Sequence, residues 1–340
     1  MNETYKFSET KNSIKRTDLS ENEIKTINNL GLTFEDLEKL LDEPHFAEGS
    51  YALIFDLPSD DKKVVAKVWK NPKDNINRAK HENVALRLLR IRNSEEAPKS
   101  MGYLKSKTIL FEEKIEGAQI KNFDKTTIKQ LAETIAKVHS VELNSYGKPL
   151  TKREKGTKMD FLNGELEKLR KNLSLLHDSS EITSVIEQAI NKIENEAKKN
   201  PNAFQNNNFT LIHFDLNKNN ILREDNSNKL ILIDWEQASA GDNAMDVAKL
   251  FLKLNFDDEQ KKDFIVEYEK KLPKKDEYFQ DRLNIHGPLV LINSILWRLR
   301  VLRDTPQNIS SINEKQFYER VKNNLDYELI TMQNFLKDKN

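Results

Sequence analysis

The sequence contains no cysteine among its 340 residues, which excludes thiolate catalysis, disulfide staples and cysteine-based zinc sites together. It is also sparing with backbone punctuation: nine glycines and nine prolines leave no room for a collagenous repeat or a Gly/Pro-rich disordered chain. An excess of charge of either sign is missing as well. Lys plus Arg and Asp plus Glu stand at 55 each, so nothing global draws the chain toward nucleic acid or an anionic membrane, and any preference must be local. Long apolar runs are absent too. Met1 to Ser20 has no continuous stretch of signal-peptide length, and the most apolar later run, Pro288 to Trp297, is short and interrupted by Asn293, which argues against a bilayer span. The expectation is a cytoplasmic protein, a monomer or homodimer, whose partner is a small molecule and neither nucleic acid nor membrane.

What is there is a hydrophilic chain, 32% charged, long enough for two lobes that each bury a core. Residues 1–43 carry no strand signal, and Thr33 with Asp36 opens the amphipathic set Phe34, Leu37, Leu40, Leu41, which reads as a capped helix in a helical extension. From Phe46 onward the runs shorten and alternate: 51–57, 63–69, 101–105 and 108–115, with a helix at about 73–91 and a turn at Pro58-Ser59-Asp60-Asp61. These predict a small antiparallel sheet. After Gly117 the pattern is mainly helical: 126–141, then a charged pair of stretches over 158–199 expected as a solvated surface excursion, and four helices in 242–338. Short strands are expected at 209–213, 221–223 and 229–233.

The residues with chemical promise lie between those short strands. Leu211-Ile212-His213-Phe214-Asp215-Leu216 through Asn220 is an apolar strand, a polar loop and a return into a strand. It matches the catalytic-loop pattern H-x-D-L-x-x-x-N, in which the Asp takes the proton of an attacking hydroxyl and the Asn reaches a magnesium ion. Ile231-Leu232-Ile233-Asp234-Trp235-Glu236 then sets a carboxylate at the end of an apolar strand, where a second metal ligand belongs. Upstream, Val64-Val65-Ala66-Lys67-Val68-Trp69 places a lysine inside an apolar strand, which calls for phosphate oxygens and a partner carboxylate to meet the ammonium. Glu82 is the candidate partner, with Glu48 as the alternative. Gly49-Ser50 sits where a phosphate-covering loop would let backbone N–H groups come close.

These motifs resemble the aminoglycoside phosphotransferase and choline kinase superfamily of protein-kinase-like small-molecule kinases over most of residues 44–303. Gly241-Asp242-Asn243-Ala244-Met245-Asp246-Val247-Ala248 is similar to that family's G-D-P-x-x-D-L-A, with Asn243 in place of Pro; the resemblance gives Asp242 and Asp246 structural roles. The implied fold is α+β and bilobal, with a helical extension at 1–43, a β-rich nucleotide-binding lobe at 44–116 and a helical lobe at 117–340. The implied reaction moves the terminal phosphate of ATP, or GTP, to an alcohol with Mg2+. Asp215 would be the base, Asn220 and Asp234 the metal ligands, and Gly49, Ser50, Lys67 and Glu82 the phosphate grip. The stretch Ile109 to Gly117 resembles the hinge between lobes, whose backbone would pair with the nucleobase somewhere between Glu112 and Ile115, with Glu113 and Ile115 as the candidates. His139 and His213 are expected as hydrogen-bonded braces.

The acceptor is the least determined part. Glu236 and the helix Leu291 to Arg300 resemble choline-type kinases, whose F-W-x-x-W segment surrounds a cation, so Glu236, Trp297 and Arg300 are the expected substrate residues. Arg300 stands where the second Trp would be, which leaves an aromatic cage incomplete, favours a polyhydroxylated or primary-amine acceptor over a quaternary ammonium, and keeps an acceptor with a carboxylate or phosphate open if Arg300 points inward. Aminoglycoside-like and choline or amino-alcohol-like acceptors are both compatible with the resemblance. A catalytically silent nucleotide-binding regulator on the same fold is the alternative. A protein kinase is disfavoured because no A-P-E segment follows Asp234.

Overall fold

Alternating apolar residues between turn formers build the first sheet of the computed structural model, which describes residues 18–337 apart from 43, 46, 49, 50, 58–62, 149, 151, 177–180 and 306–311. The chain divides into two compact units. The first is built mainly from the residues up to Val141 together with Lys218–Ala238, the second from Glu142–Lys148, Lys152–Asn217 and Ser239 onward.

In the first unit, β1 (Ala47–Glu48), β2 (Ala52–Asp56), β3 (Val64–Trp69), β4 (Ser100–Leu104) and β5 (Ile109–Glu113) form an antiparallel sheet in the order β1-β2-β3-β5-β4. Two helices, α1 (Glu21–Asn29) and α2 (Phe34–Asp42), are part of its core: Ile27, Leu37 and Leu40 are buried in one cluster with Phe55, Val68, Leu104 and Phe111. Ser20 and Glu23 close a capping box on α1, and Thr33 and Asp36 exchange hydrogen bonds at the start of α2 as their spacing predicts. Glu23 also accepts from the backbone and hydroxyl of Ser106 at 2.9 and 2.8 Å, tying α1 to the sheet. The fit is close enough that a Cβ on Gly102 would stand 2.2 Å from the Thr26 methyl group, so any larger residue there would force the Thr26 side chain to shift.

The helix α3 (Pro72–Ile91) follows β3, and α4 (Lys125–His139) is capped by Asp124. A second small sheet joins β6 (Gly117–Gln119), β9 (Ile221–Glu224) and β10 (Leu230–Leu232) in the order β10-β9-β6. The second unit holds a three-stranded sheet of β7 (Glu142–Leu143), β8 (Phe209–Ile212) and β11 (Ser239–Gly241), ordered β11-β8-β7. Around it lie α5 (Lys158–Ser174), α6 (Glu181–Lys199), α7 (Asn243–Leu254), α8 (Asp258–Lys271), α9 (Phe279–Asp304) and α10 (Ile312–Lys337).

One expectation is corrected here. The charged pair α5 and α6 carries the expected solvated face, with ion pairs such as Lys168–Glu165 and Lys198–Glu194, but it is no mere surface excursion: Leu162, Leu166 and Leu169 on one helix and Ile186, Ile190 and Ile193 on the other are buried, and both pack against α9. Apolar residues every third or fourth position supply that face beneath the charges. Among the described residues no helix is long and apolar enough to cross a membrane.

Candidate active site

In the first unit the buried strand lysine finds its counter-charges. Antiparallel pairing sets Lys67 between Ile54 on β2 and Leu110 on β5. Its Nζ lies 2.7 Å from Oε2 of Glu82 on α3 and 2.5 Å from Oδ1 of Asp234. Burial alone would lower the lysine pKa, but Glu82, Asp234 and Glu112 together raise it above its ordinary value, so Lys67 stays charged. The other oxygen of Glu82 accepts the backbone N–H of Trp235 at 2.9 Å, and the Trp235 indole donates to Leu232 O at 2.8 Å. Glu82 therefore holds both the ammonium and the backbone that follows Asp234. Glu48, the alternative partner, is paired with Lys70.

Asp234 and Asn220 stand at the same end of one hairpin. Leu232 pairs with Ile221, and Ile233 N donates to Asn220 O at 3.0 Å, which brings the two flanking residues together. Asp234 adopts φ 65°, a left-handed conformation that costs a non-glycine residue about 1 kcal/mol or more and is found where a site constrains it. Two residues on, Glu236 is ion-paired with Arg78 at 2.9 Å, and the Arg78 guanidinium stacks 3.7 Å from the ring centroid of Tyr51. The expected acceptor carboxylate thus has its charge balanced inside its own unit. Neither Arg78 nor Tyr51 carries a sequence signal for this.

The hinge segment is partly engaged. Glu113 belongs to β5, with its N–H on Lys99 O at 2.9 Å and its side chain on Lys99 Nζ at 3.2 Å, whereas Ile115 makes no backbone hydrogen bond among the described residues. Gly49 and Ser50 lie outside the described residues. Glu112, one residue before Glu113, is buried, with one carboxyl oxygen lacking a hydrogen-bond partner among the described residues. Burial pushes its pKa up to about 7, the Lys67 charge pulling the other way. A carboxyl whose folded pKa is raised binds its proton more tightly in the native state, so its contribution to stability is lost as pH rises from about 4.5 to about 7. Glu112→Gln is accordingly expected to raise the melting temperature at pH 8 more than at pH 5, measured by calorimetry in the absence of ligand; an equal shift at both pH values would contradict the assignment.

In the second unit the loop that follows β8 is held from α7. The Asp246 carboxylate accepts the backbone N–H groups of His213 at 2.9 Å and Phe214 at 2.8 Å, and the Asp215 N–H donates to Nδ1 of the buried His213 at 3.3 Å. Phe214 has φ 67°, and one turn along α7 Lys249 donates to its carbonyl at 2.8 Å with its ammonium 3.6 Å from the ring centroid. A strained residue clamped from both sides aims its neighbour, Asp215, consistently. Asp215 lines a cavity of about 420 Å3 together with Lys249, Lys253, Trp297, Arg300 and Arg303, a size suited to a small molecule. Burial pulls the Lys249 pKa down to about 8, while Asp246 and Asp215 oppose that shift. A cation touching any one of these basic groups would meet repulsion of about 1 kcal/mol in water-like surroundings and about 4 kcal/mol in partly enclosed ones. Arg298 is not available to the cavity in the same way, because Glu328 binds it bidentately at 2.9 and 3.0 Å.

Behind the loop lies a buried charge cluster. Asp242 caps α7 through Ala244 N at 3.1 Å and meets Arg282 Nε at 2.9 Å, His286 Nε2 at 3.0 Å and Lys158 Nζ at 3.4 Å. Burial would raise the Asp242 pKa, but the charges of Arg282 and Lys158 and the hydrogen bond with His286 hold it well below the usual carboxylate range.

A lysine–glutamate pair in a sheet, a clamped aspartate loop and a second aspartate at a hairpin end are parts that phosphoryl transfer uses. The class of protein is a small-molecule kinase on a bilobal α+β, protein-kinase-like fold. The sequence model for choline/ethanolamine kinases matches residues 49–286, more than half of the chain, and the chain belongs to that family. No curated protein sequence matches it. Among solved structures, the choline kinase of Streptococcus pneumoniae superposes with a TM-score of 0.55 at 19% identity, covering 83% of this chain and 92% of that one. The ethanolamine kinase of Plasmodium vivax gives 0.57 at 17%, covering 87% and 84%. A thermostable aminoglycoside phosphotransferase in ternary complex with AMP-PNP and hygromycin B gives 0.56 at 14%, covering 84% and 92%.

Proposed function

We propose that the protein transfers the terminal phosphate of ATP, or GTP, to a hydroxyl of a small polar acceptor of the aminoglycoside or amino-alcohol type. The observation that carries this reading is the buried Lys67 held between Glu82 and Asp234 at 2.7 and 2.5 Å, an arrangement with no evident purpose unless phosphate oxygens meet the ammonium. In this reading residues 44–116 grip the nucleotide, with Gly49 and Ser50 over the phosphates, Lys67 on them, and the backbone of Glu113 and Ile115 toward the base. Asn220 and Asp234, one neutral oxygen donor and one carboxylate at a single hairpin end, suit a hard oxygen-liganded cation. Mg2+ held there would neutralise charge on the phosphates. Asp215 orients the acceptor hydroxyl and takes its proton as the new P–O bond forms and the bond to the nucleoside diphosphate breaks; positioning does most of the work. Residues 117–340 supply the catalytic loop and the acceptor site, to which Trp297 and Arg300 contribute from α9; Glu236, the third expected substrate residue, is charge-balanced by Arg78.

The metal assignment has a direct test. Nucleotide affinity, measured by calorimetry with and without Mg2+, is expected to tighten with the metal in the parent protein and to show no metal dependence in Asp234→Ala. A parent protein that binds nucleotide equally in both conditions removes the basis for placing the cation at Asp234.

A further inference from the structure

We propose that the acceptor carries an anionic group, a carboxylate or a phosphate, beside the hydroxyl that is phosphorylated, and that Arg300, Lys253 and Lys249 recognise it. This rests on the kinase reading of Asp215 and deepens it. Among the described residues, the wall of the cavity that contains Asp215 has one carboxylate, Asp215 itself, against four basic side chains, Lys249, Lys253, Arg300 and Arg303. Not all four are equally available. Arg303 is engaged with Asp304 and Leu175 O, and Lys249 donates to Phe214 O. The side chains of Arg300 and Lys253 enter no hydrogen bond or close ion pair among the described residues, Arg300 feeling only the more distant charge of Asp304 on its own helix.

The single carboxylate is the proposed base, so it cannot also serve as counter-ion to an acceptor ammonium without losing its proton-accepting role. Trp297 presents a ring that is 42% exposed in the same wall. An ammonium stacked on that ring would be repelled by the neighbouring cations, whereas a sugar or alkyl face could rest on it while its anionic substituent reaches Arg300. A planar guanidinium suits carboxylate and phosphate oxygens alike, which is why the proposal names their shared chemistry.

Initial-rate kinetics on matched acceptors test this: serine against ethanolamine, glucuronate against glucose, and glucose 6-phosphate against glucose. The anionic member of a pair is expected to have a kcat/KM at least about tenfold higher, the worth of one charge-assisted hydrogen bond. That advantage should shrink as salt is raised, because Arg300 and Lys253 are exposed. Arg300→Ala and Lys253→Gln should each reduce the anion preference while the nucleotide KM stays put. Whether the carboxylate or the phosphate pairs show the effect identifies the source of the anion.

A neutral or cationic member turned over as well as its anionic counterpart, or a preference untouched by Arg300→Ala, overturns the proposal. Failure of the underlying kinase reading looks different: no acceptor in any pair is phosphorylated. The same pairs are therefore titrated calorimetrically without nucleotide, where tighter binding of the anionic members, lost in Arg300→Ala, still supports the anion site and equal affinities reject it.

Discussion

Asp215→Ala is expected to lower turnover by about a thousandfold or more while leaving nucleotide affinity within about twofold of the parent. A positioned general base is worth about 10²–10⁴ in rate, and the loop's geometry does not depend on the Asp215 side chain. The clamp is made by Asp246 on the N–H groups of His213 and Phe214 and by Lys249 on the Phe214 carbonyl, so the variant should fold and bind nucleotide normally. Single-turnover rates and nucleotide titrations on the same preparation separate the two effects. Activity within tenfold of the parent would take the base assignment away from Asp215.

Asp242→Ala should destabilise the protein by about 3–5 kcal/mol, the cost of leaving buried cations without their counter-charge, and the lost helix cap adds about 1 kcal/mol. Arg282, His286 and Lys158 all converge on this carboxylate, and Asp242, Arg282 and His286 have no exposed side-chain surface. Because its pKa is depressed, the stability Asp242 supplies is present in full above about pH 4 and is lost only in acid. Urea unfolding at pH 7 gives the measurement. Asp276→Ala is the internal comparison, since that carboxylate touches the same Arg282 at 2.5 Å but is 21% exposed; its cost should be the smaller by a clear margin. The reverse order would mean that Arg282 is stabilised chiefly from outside the cluster. A drop in activity should accompany the lost stability, because Asp242 caps α7, which carries Asp246, and Asp246 holds the loop of the proposed base Asp215.

Elements whose signals lie in adjacent residues were legible early. The strands around the His213–Asn220 loop, the Thr33–Asp36 cap and the four late helices all emerge near their expected positions, because periodicity and capping depend on neighbours a few residues apart. The short strands β1, β7 and β11 gave no such signal; strands of two or three residues are shaped by their partners and hardly at all by their own composition. The α5–α6 pair shows a different failure. Its charged surface dominated the pattern, while the apolar stripe that joins it to α9 was present in the same residues.

The sequence already put Glu82 ahead of Glu48 as the partner of Lys67, and the fold supplied the contact itself: Glu82 faces the lysine from α3 while Glu48 pairs with Lys70. The same holds for Glu236, whose partner Arg78 is 158 residues away, and for Asp246, whose motif gives it a structural role without naming the two N–H groups it accepts. It holds too for the cavity, where cations from α7 and α9 gather around one carboxylate. By itself the sequence determined the fold class, the order of the elements and the residue types at the chemical positions, all of which are encoded locally in spacing and alternation. The tertiary structure alone decided which charges meet. Packing chooses which helix face turns inward, and an ion pair or a charged cavity wall exists only after that choice has been made.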